Sequence, residues 1–181
     1  MKQFRTLTAG DIECRVSTVS EKGCSLLLYK DARCDMKILD ETVGPENWQR
    51  SHELVNGNLF CNVSIWDEGK KEWITKQDVG TESYTEKEKG QASDAFKRAC
   101  FNWGIGRELY TAPFIWINAE DVALKKVDRG GKSTYTTYDK FSVTQIIIKN
   151  GEIQALAIKN KSLGRMVFVY DVRPDKEKEK K

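Results

Sequence analysis

The chain has 181 residues, 39% hydrophobic and 31% charged, a balance that fits one α/β or α+β domain with a real core better than two independently folding halves. Lys and Arg number 30 against 27 Asp and Glu, a formal net charge of +3, so charge alone does not single out a polyanion binder; a nucleic-acid surface at this balance needs its cations gathered on one face. Five cysteines (Cys14, Cys24, Cys34, Cys61, Cys100), an odd number with no CxxC pair, and a single histidine argue against a disulfide framework or structural zinc site and for a reducing compartment.

The first residues, MKQFRTLTAGDIEC, lack the apolar h-region of a signal peptide. No run reaches the roughly 18 to 20 apolar residues of a membrane span, so a cytoplasmic protein with no membrane partner is expected, in a bacterial cell with access to DNA. Thr8, with Asp11 three residues on, makes an aspartate version of the capping box and predicts a short helix to about Val19, with Ile12, Val16 and Val19 on one face. Glu21-Lys22-Gly23 ends it, and Cys24 to Tyr29 is an apolar run suited to a strand. From Asp31 to Val43 the apolar positions Ala32, Met36, Leu39 and Val43 recur at helical spacing, until Gly44-Pro45 stops the helix.

Three extended segments follow: Trp48 to Val55, Leu59 to Trp66 and Glu72 to Val79, joined by turns at Asn56-Gly57 and Asp67-Glu68-Gly69. Asn-Gly suits a type I′ hairpin, and the set predicts an antiparallel meander with Leu59, Cys61, Val63 and Ile65 on one face. Thr85, with Glu88 at the capping-box position, starts a helix running to about Trp103, because Ala92, Ala95, Phe96, Ala99 and Trp103 share a narrow arc at about 100° per residue. Gly104-Ile105-Gly106 ends it.

The stretch Asn118 to Lys140 is polar, and Arg129 to Ser133 reads as a mobile loop. A second hairpin joins Phe141–Lys149 to Glu152–Lys159 through Asn150-Gly151; the imperfect alternation of Ile153, Leu156 and Ile158 leaves room for a bulge or two-sided burial. Met166 to Tyr170 adds a short strand, and beyond Pro174 the sequence DKEKEKK needs no core. The expected organisation is a single α+β domain over residues 1–172, with an antiparallel β-β-β-α core and an extra C-terminal β-hairpin, then a disordered charged tail over residues 173–181.

The helix carrying Lys97 and Arg98 is the most informative element. With Ala92, Phe96, Ala99 and Trp103 inward, Lys97 and Arg98 flank the opposite face and Phe101 projects between them. Two cations beside an outward aromatic suit phosphate contact and base stacking, although a solvated face with Phe101 covered by a neighbouring strand or subunit explains the same pattern. Lys30, Arg33 and Lys37 form another basic edge that contributes to a groove if the fold brings it beside Lys97 and Arg98. The five tryptophans read as core or interface residues.

Other signals are weaker. His52 on its strand has no nucleophile at any recognised spacing. Gly131-Lys132-Ser133 lacks the glycine five residues earlier that a phosphate-binding loop requires, since Lys126 stands there. Of the carboxylates Asp78, Glu82, Glu86, Glu88 and Asp94, Asp94 sits near Lys97 at helical spacing and Glu86 and Glu88 favour the helix start; these uses take most of the candidates and leave little for a metal-dependent nuclease. Neither a metal nor a cofactor is expected.

Gly44-Pro45-Glu46-Asn47-Trp48, Gln77-Asp78-Val79-Gly80 and Glu88-Lys89-Gly90-Gln91-Ala92-Ser93-Asp94-Ala95-Phe96-Lys97-Arg98-Ala99 resemble the Rad-fifty-two/Rad-twenty-two recombination proteins, most of all their phage and prophage single-strand annealing branch. The likeness extends upstream through Tyr29 to Asp40. It implies a β-β-β-α core, no enzymatic activity, and subunits assembled into a ring or helical array whose outer groove holds single-stranded DNA. It also implies DNA contacts at Lys97, Arg98 and Arg33, with Lys30, Lys87 and Lys89 as further candidates near the same surface. Eukaryotic relatives carry another arginine one turn after the Lys-Arg pair; Phe101 stands there in this chain, as a base-stacking or subunit-packing residue. The implied activity is annealing of complementary strands in recombination or double-strand break repair without nucleotide hydrolysis, with a host or phage single-strand-binding protein as a further partner. The alternative is an oligomeric, non-catalytic interaction module regulating a phage recombination machinery.

Overall fold

In chain order the elements of the computed structural model, which describes residues 3–81, 87–129 and 131–174, are β1 (Glu13–Ser20), β2 (Gly23–Tyr29), α1 (Ala32–Val43), β3 (Trp48–Val55), β4 (Asn58–Asp67), β5 (Glu72–Val79), α2 (Lys87–Asn102), β6 (Ile115–Asn118), β7 (Lys125–Arg129), β8 (Lys132–Thr136), β9 (Phe141–Lys149), β10 (Glu152–Asn160) and β11 (Arg165–Asp171). The fold is α+β, with antiparallel sheets throughout. The chain divides into two compact units, Met1–Thr6 with Lys30–Arg107, and Leu7–Tyr29 with Glu108–Lys181.

The first unit holds the expected β-β-β-α core, a three-stranded sheet in the order β3-β4-β5 with α1 and α2. Asn56 (φ 51°) and Gly57 (φ 78°) both take the left-handed conformation that a type I′ turn demands, and Val55 pairs with Asn58 across it. Alternation along β4 then places Cys61, Val63 and Ile65 in the core, with 0%, 0% and 4% exposure. Ala95, Phe96, Ala99 and Trp103 of the α2 segment meet them, and the Trp103 indole donates to the Val63 carbonyl at 2.9 Å. Gly80 makes this approach sterically feasible: a Cβ there would overlap the Gln91 carbonyl oxygen and stand 2.7 Å from the Ala95 nitrogen.

α1 begins at Asp31, whose carboxylate accepts from the Cys34 N–H at 2.9 Å, and ends at Gly44 (φ 92°) before Pro45. Its buried face is Cys34, Asp35, Ile38 and Leu39. The expected stripe of Ala32, Met36, Leu39 and Val43 is therefore rotated, because Asp35 is taken inside with an ion-pair partner and a pattern of apolar residues alone does not register a buried charge.

In the second unit the predicted amino-terminal helix is corrected. The Thr8–Asp11 capping box forms, but it closes a single 3-10 turn (Ala9–Asp11); Ile12 is already extended at φ −111°, ψ 128°, and Glu13–Ser20 runs as β1. Pairing with β2 along Glu13 to Ser20 outweighs a local cap followed by the β-branched residues Val16, Thr18 and Val19. The strands form a six-stranded sheet in the order β11-β10-β9-β1-β2-β6. The Asn150-Gly151 hairpin is as expected, with register shifts at Ile153/Ala155 and Ala157/Ile158 that account for the broken alternation. The segments on either side of the predicted loop pair as the two-stranded β7-β8 hairpin, with Arg129 opposite Lys132; Gly130 lies outside the described residues. Thr85, Glu86 and the tail beyond Pro174 lie outside the described residues.

Gly80→Ala tests the close approach of α2 to the sheet. The collision is with backbone atoms that cannot swing aside, so overpacking should cost roughly 1 to 3 kcal/mol, read as a lower urea midpoint at unchanged m-value.

Candidate nucleic-acid interface

α2 turns Ala95, Phe96, Ala99 and Cys100 to the core at 0% exposure, which leaves Asp94, Lys97, Arg98 and Phe101 on its outer arc. Lys97 and Arg98 are each partly exposed. Arg98 Nε donates to Asp94 Oδ2 at 3.1 Å, and the same oxygen accepts from the Thr81 N–H and hydroxyl at 3.0 and 3.1 Å. Asp94 thus ties the strand exit after Gly80 to the helix through Arg98, rather than pairing with Lys97 as its spacing allowed. Burial works against the Asp94 carboxylate, yet the Thr81 and Arg98 donors hold it below the usual range. Lys97 makes no ion pair or hydrogen bond among the described residues.

The basic edge of α1 is distributed differently from its reading in sequence. Lys30 is 2% exposed, and its ammonium is paired with Asp35 Oδ1 in the interior. It is therefore not among the solvent-facing cations. Arg33 and Lys37 stand on the opposite side of α1 from its buried face; Arg33 pairs with Asp31 at 2.8 Å and Lys37 with Glu41 at 3.7 Å. Burial opposes the ionised Asp31 as well, but the Cys34 N–H and the Arg33 guanidinium keep it below the ordinary carboxylate range. What α1 presents to α2 is the Lys30–Asp35 pair, not Arg33. The side chains of Lys87 and Lys89 lie outside the described residues.

Phe101 projects outward on α2 but is half-covered: the Lys30 ammonium lies 4.4 Å from its ring centroid. Asp35 is pushed up to about 6 by burial, against the pull of Lys30 and Lys97. Its second oxygen, Oδ2, is buried without a hydrogen-bond partner among the described residues.

Three further cations border the helix and were not picked out in sequence. Arg50 on β3 lies 4.6 Å from the Phe96 ring centroid, and Lys76 on β5 lies 4.8 Å from that of Trp103 and donates to the Asn102 carbonyl at 2.7 Å. Arg107 donates to the carbonyls of Phe101 and Asn102 at 2.9 and 3.1 Å, at the negative end of the α2 dipole. Arg50 and Lys76 share a register row with Val63, on the sheet face toward α2, and that row was available from the hairpin pattern.

His52 Nε2 donates to the Ala92 carbonyl at 3.1 Å, and no group of three or more His, Cys, Asp or Glu is placed to hold a metal among the described residues. Burial raises the thiols of Cys14, Cys24 and Cys61 to about 11 and raises Cys100 as well, so they stay protonated at neutral pH. No helix among the described residues is long and apolar enough to cross a membrane.

A meander crossed by a helix that buries alanines and turns a Lys-Arg pair outward is an α+β scaffold with a cationic helix face. The chain belongs to the Rad52/22 family of double-strand break repair proteins, whose profile matches residues 5–126, a span that holds the whole meander and α2. It is similar, at 35% identity over 100 residues, to the single-stranded DNA-binding protein DdrA of Deinococcus radiodurans. That alignment takes in 53% of this chain and 46% of DdrA, so the chain spans about half the length of the relative it matches. No solved structure matches it significantly.

The buried pair makes a separable stability prediction. Lys30→Met or Asp35→Leu alone leaves an uncompensated interior charge and should cost about 3 to 5 kcal/mol; the two together should be near neutral or stabilising. Denaturation midpoints of the three variants check this.

Proposed function

We propose that this chain binds single-stranded DNA along the outer arc of α2 and promotes annealing of complementary strands in homologous recombination or double-strand break repair, without hydrolysing nucleotide. The observation that carries the reading is the placement of Lys97 and Arg98, within the family-matched segment, on the face of α2 that the sheet leaves uncovered. The Arg98–Asp94 pair is only partly exposed, and a surface ion pair of this kind is worth about 0 to 1 kcal/mol, little enough for a phosphate to compete with the carboxylate. Similarity to DdrA, a single-stranded DNA-binding protein, supports the same ligand class.

On this reading residues 1–172 act as one annealing domain in the cytoplasm of a bacterium. Copies of the chain, in a ring or helical array, set their cations along a common track; the phosphate backbone is neutralised, bases stay outward, and pairing itself drives the reaction. Arg33, 86% exposed in its side chain, can reach phosphate once it releases Asp31. Lys87 and Lys89 are candidates at the start of the same helix, and a single-strand-binding protein is a candidate partner. The phage or prophage placement stays an expectation from the resemblance alone, since the Deinococcus relative does not carry it.

A second reading, the non-catalytic interaction module, draws on Tyr110 and Phe114, which are 70% and 78% exposed and resemble protein-contact residues more than core ones. It predicts no affinity for bare single strands. An annealing assay with labelled complementary oligonucleotides, ATP omitted and product length checked, separates the two readings and exposes any nuclease.

Lys97→Ala with Arg98→Ala should fold normally and lose most single-strand affinity by fluorescence anisotropy at matched salt. The slope of log affinity against log salt should fall by roughly 1.4, two single-strand phosphate contacts at about 0.7 each; unchanged affinity removes the site. For Phe101→Ala, DNA affinity is compared with oligomer mass: a loss in the first alone identifies stacking, and a loss in the second identifies packing.

A further inference from the structure

The second unit gathers cations of its own. β1 and β9 meet at a single ladder pair, Glu13 with Ser142. A groove of about 800 Å3 opens beside that pair, lined by β1 and by the chain that leads from β8 into β9. Antiparallel counting from Glu13 and Ser142 sets Arg15 opposite Lys140. Lys161 continues the row: its N–H donates to the Lys140 carbonyl at 2.7 Å, one step beyond the Lys159–Ser142 and Asn160–Phe141 register. Arg15, Lys140 and Lys161 thus form one cross-strand row along the groove, and all three are exposed. Tyr138, two residues before Lys140, lines the same groove and is 74% exposed.

None of these three cations makes an ion pair or a side-chain hydrogen bond among the described residues, whereas Arg33, Lys37 and Arg98 each lie beside a carboxylate. The two carboxylates that line the groove are engaged elsewhere. Glu13 accepts from the Tyr29 hydroxyl at 2.5 Å, and Asp139 Oδ2 accepts from the Ala123 N–H and the Asn160 side-chain amide at 2.8 and 2.7 Å. Like charges set opposite one another across strands destabilise a sheet, so fold stability gives no reason for the row. We propose that this groove is a second single-stranded polynucleotide site, in which Arg15, Lys140 and Lys161 contact phosphates and Tyr138 stacks a base. An acidic peptide would satisfy the cations equally; the exposed tyrosine beside them favours a ligand that carries π faces between its charges. The inference takes its ligand class from the proposed function and its residues from the other unit, and Lys140 and Lys161 lie beyond the family-matched residues 5–126. A chain with two such sites can hold two strands, which annealing requires.

The test uses the full chain with Arg15→Gln/Lys140→Gln/Lys161→Gln in the wild-type and Lys97→Ala/Arg98→Ala backgrounds, and follows the anisotropy of fluorescein-labelled oligothymidylate against salt. With the α2 cations already gone, the glutamine variant should lower the residual affinity at least about tenfold and the slope of log affinity against log salt by roughly 2.1, three contacts at about 0.7 each. Tyr138→Ala in that background should weaken binding by about tenfold at unchanged slope. Unchanged affinity in the glutamine variant, or no residual binding for it to remove, overturns the proposal. Arg15→Lys/Lys140→Arg/Lys161→Arg keeps the charges and should bind like its parent; a loss as large as that of the glutamine variant is a structural effect and overturns the proposal too. Fluorescein-labelled oligoglutamate of matched charge should bind the groove at least about tenfold more weakly than oligothymidylate, and equal or tighter binding reassigns the groove to an acidic peptide. If Lys97→Ala/Arg98→Ala leaves affinity unchanged and the glutamine variant removes it, the α2 site is wrong and the groove is upheld; if the wild-type chain does not bind oligothymidylate, both fall.

Discussion

The packing of α2 onto β4 and β5 sets the terms for the rest of the first unit. A helix can lie this close to a sheet only where both surfaces are small: Ala95 and Ala99 on one side, and at the strand exit Gly80, where any Cβ would strike the backbone of α2. The approach is then locked by polar contacts. Gln91 donates to the Gly80 carbonyl at 3.2 Å, Thr81 donates to Asp94, and Asn102 donates to the Gln77 carbonyl at 2.8 Å. Once the helix is seated, its rotation is fixed, and with it the identity of the residues on the outer arc. Lys97 and Arg98 face outward because Phe96 and Ala99 cannot.

This accounts for a feature of the family motifs. In Gln77-Asp78-Val79-Gly80 and the Asp94-Ala95 step, the Gln77 and Gly80 carbonyls and the Asp78 and Asp94 carboxylates hold the helix to the sheet. Asp78 accepts from the Val79 N–H at 2.7 Å and from Asn102 at 3.3 Å, both internal uses. These motif residues specify the geometry in which their neighbours on α2 are presented.

Much of this was legible in sequence, for identifiable reasons. Asn-Gly pairs at Asn56-Gly57 and Asn150-Gly151 dictate their turns through local sterics, and the 3.6-residue period of α2 is set by residues that all pack on one surface. What escaped depended on partners distant in sequence. Thr8 and Asp11 do make their capping box, but β2 and β9 recruit the following residues as a strand, a pairing that no local rule contains. The β7-β8 hairpin has little apolar periodicity to betray it. Asp35 was unreadable as a core residue because its burial is conditional on Lys30, five positions away and outside the helix. A charged residue in a helical pattern is ordinarily assigned to water, and only the pair together reverses that assignment.

The distribution of charge suits the proposed activity better than a strongly basic surface would. A net charge of +3 gives weak long-range attraction, and the exposed cations Arg33 and Lys37 and the partly exposed Arg98 each have a carboxylate within reach. Phosphate binding at such sites is an exchange of anions rather than the neutralisation of bare charge, so each contact yields a modest net gain. An annealing protein gains from that economy: it must hold a strand extended across many subunits yet release it once the duplex forms. Affinity built from many weak, exchangeable contacts falls steeply as contacts are withdrawn, whereas a few strong ones would trap the product. Lys97, which has no ion-pair partner among the described residues, is the exception among these helix cations, and on the proposed reading it is where a phosphate gains most on arrival.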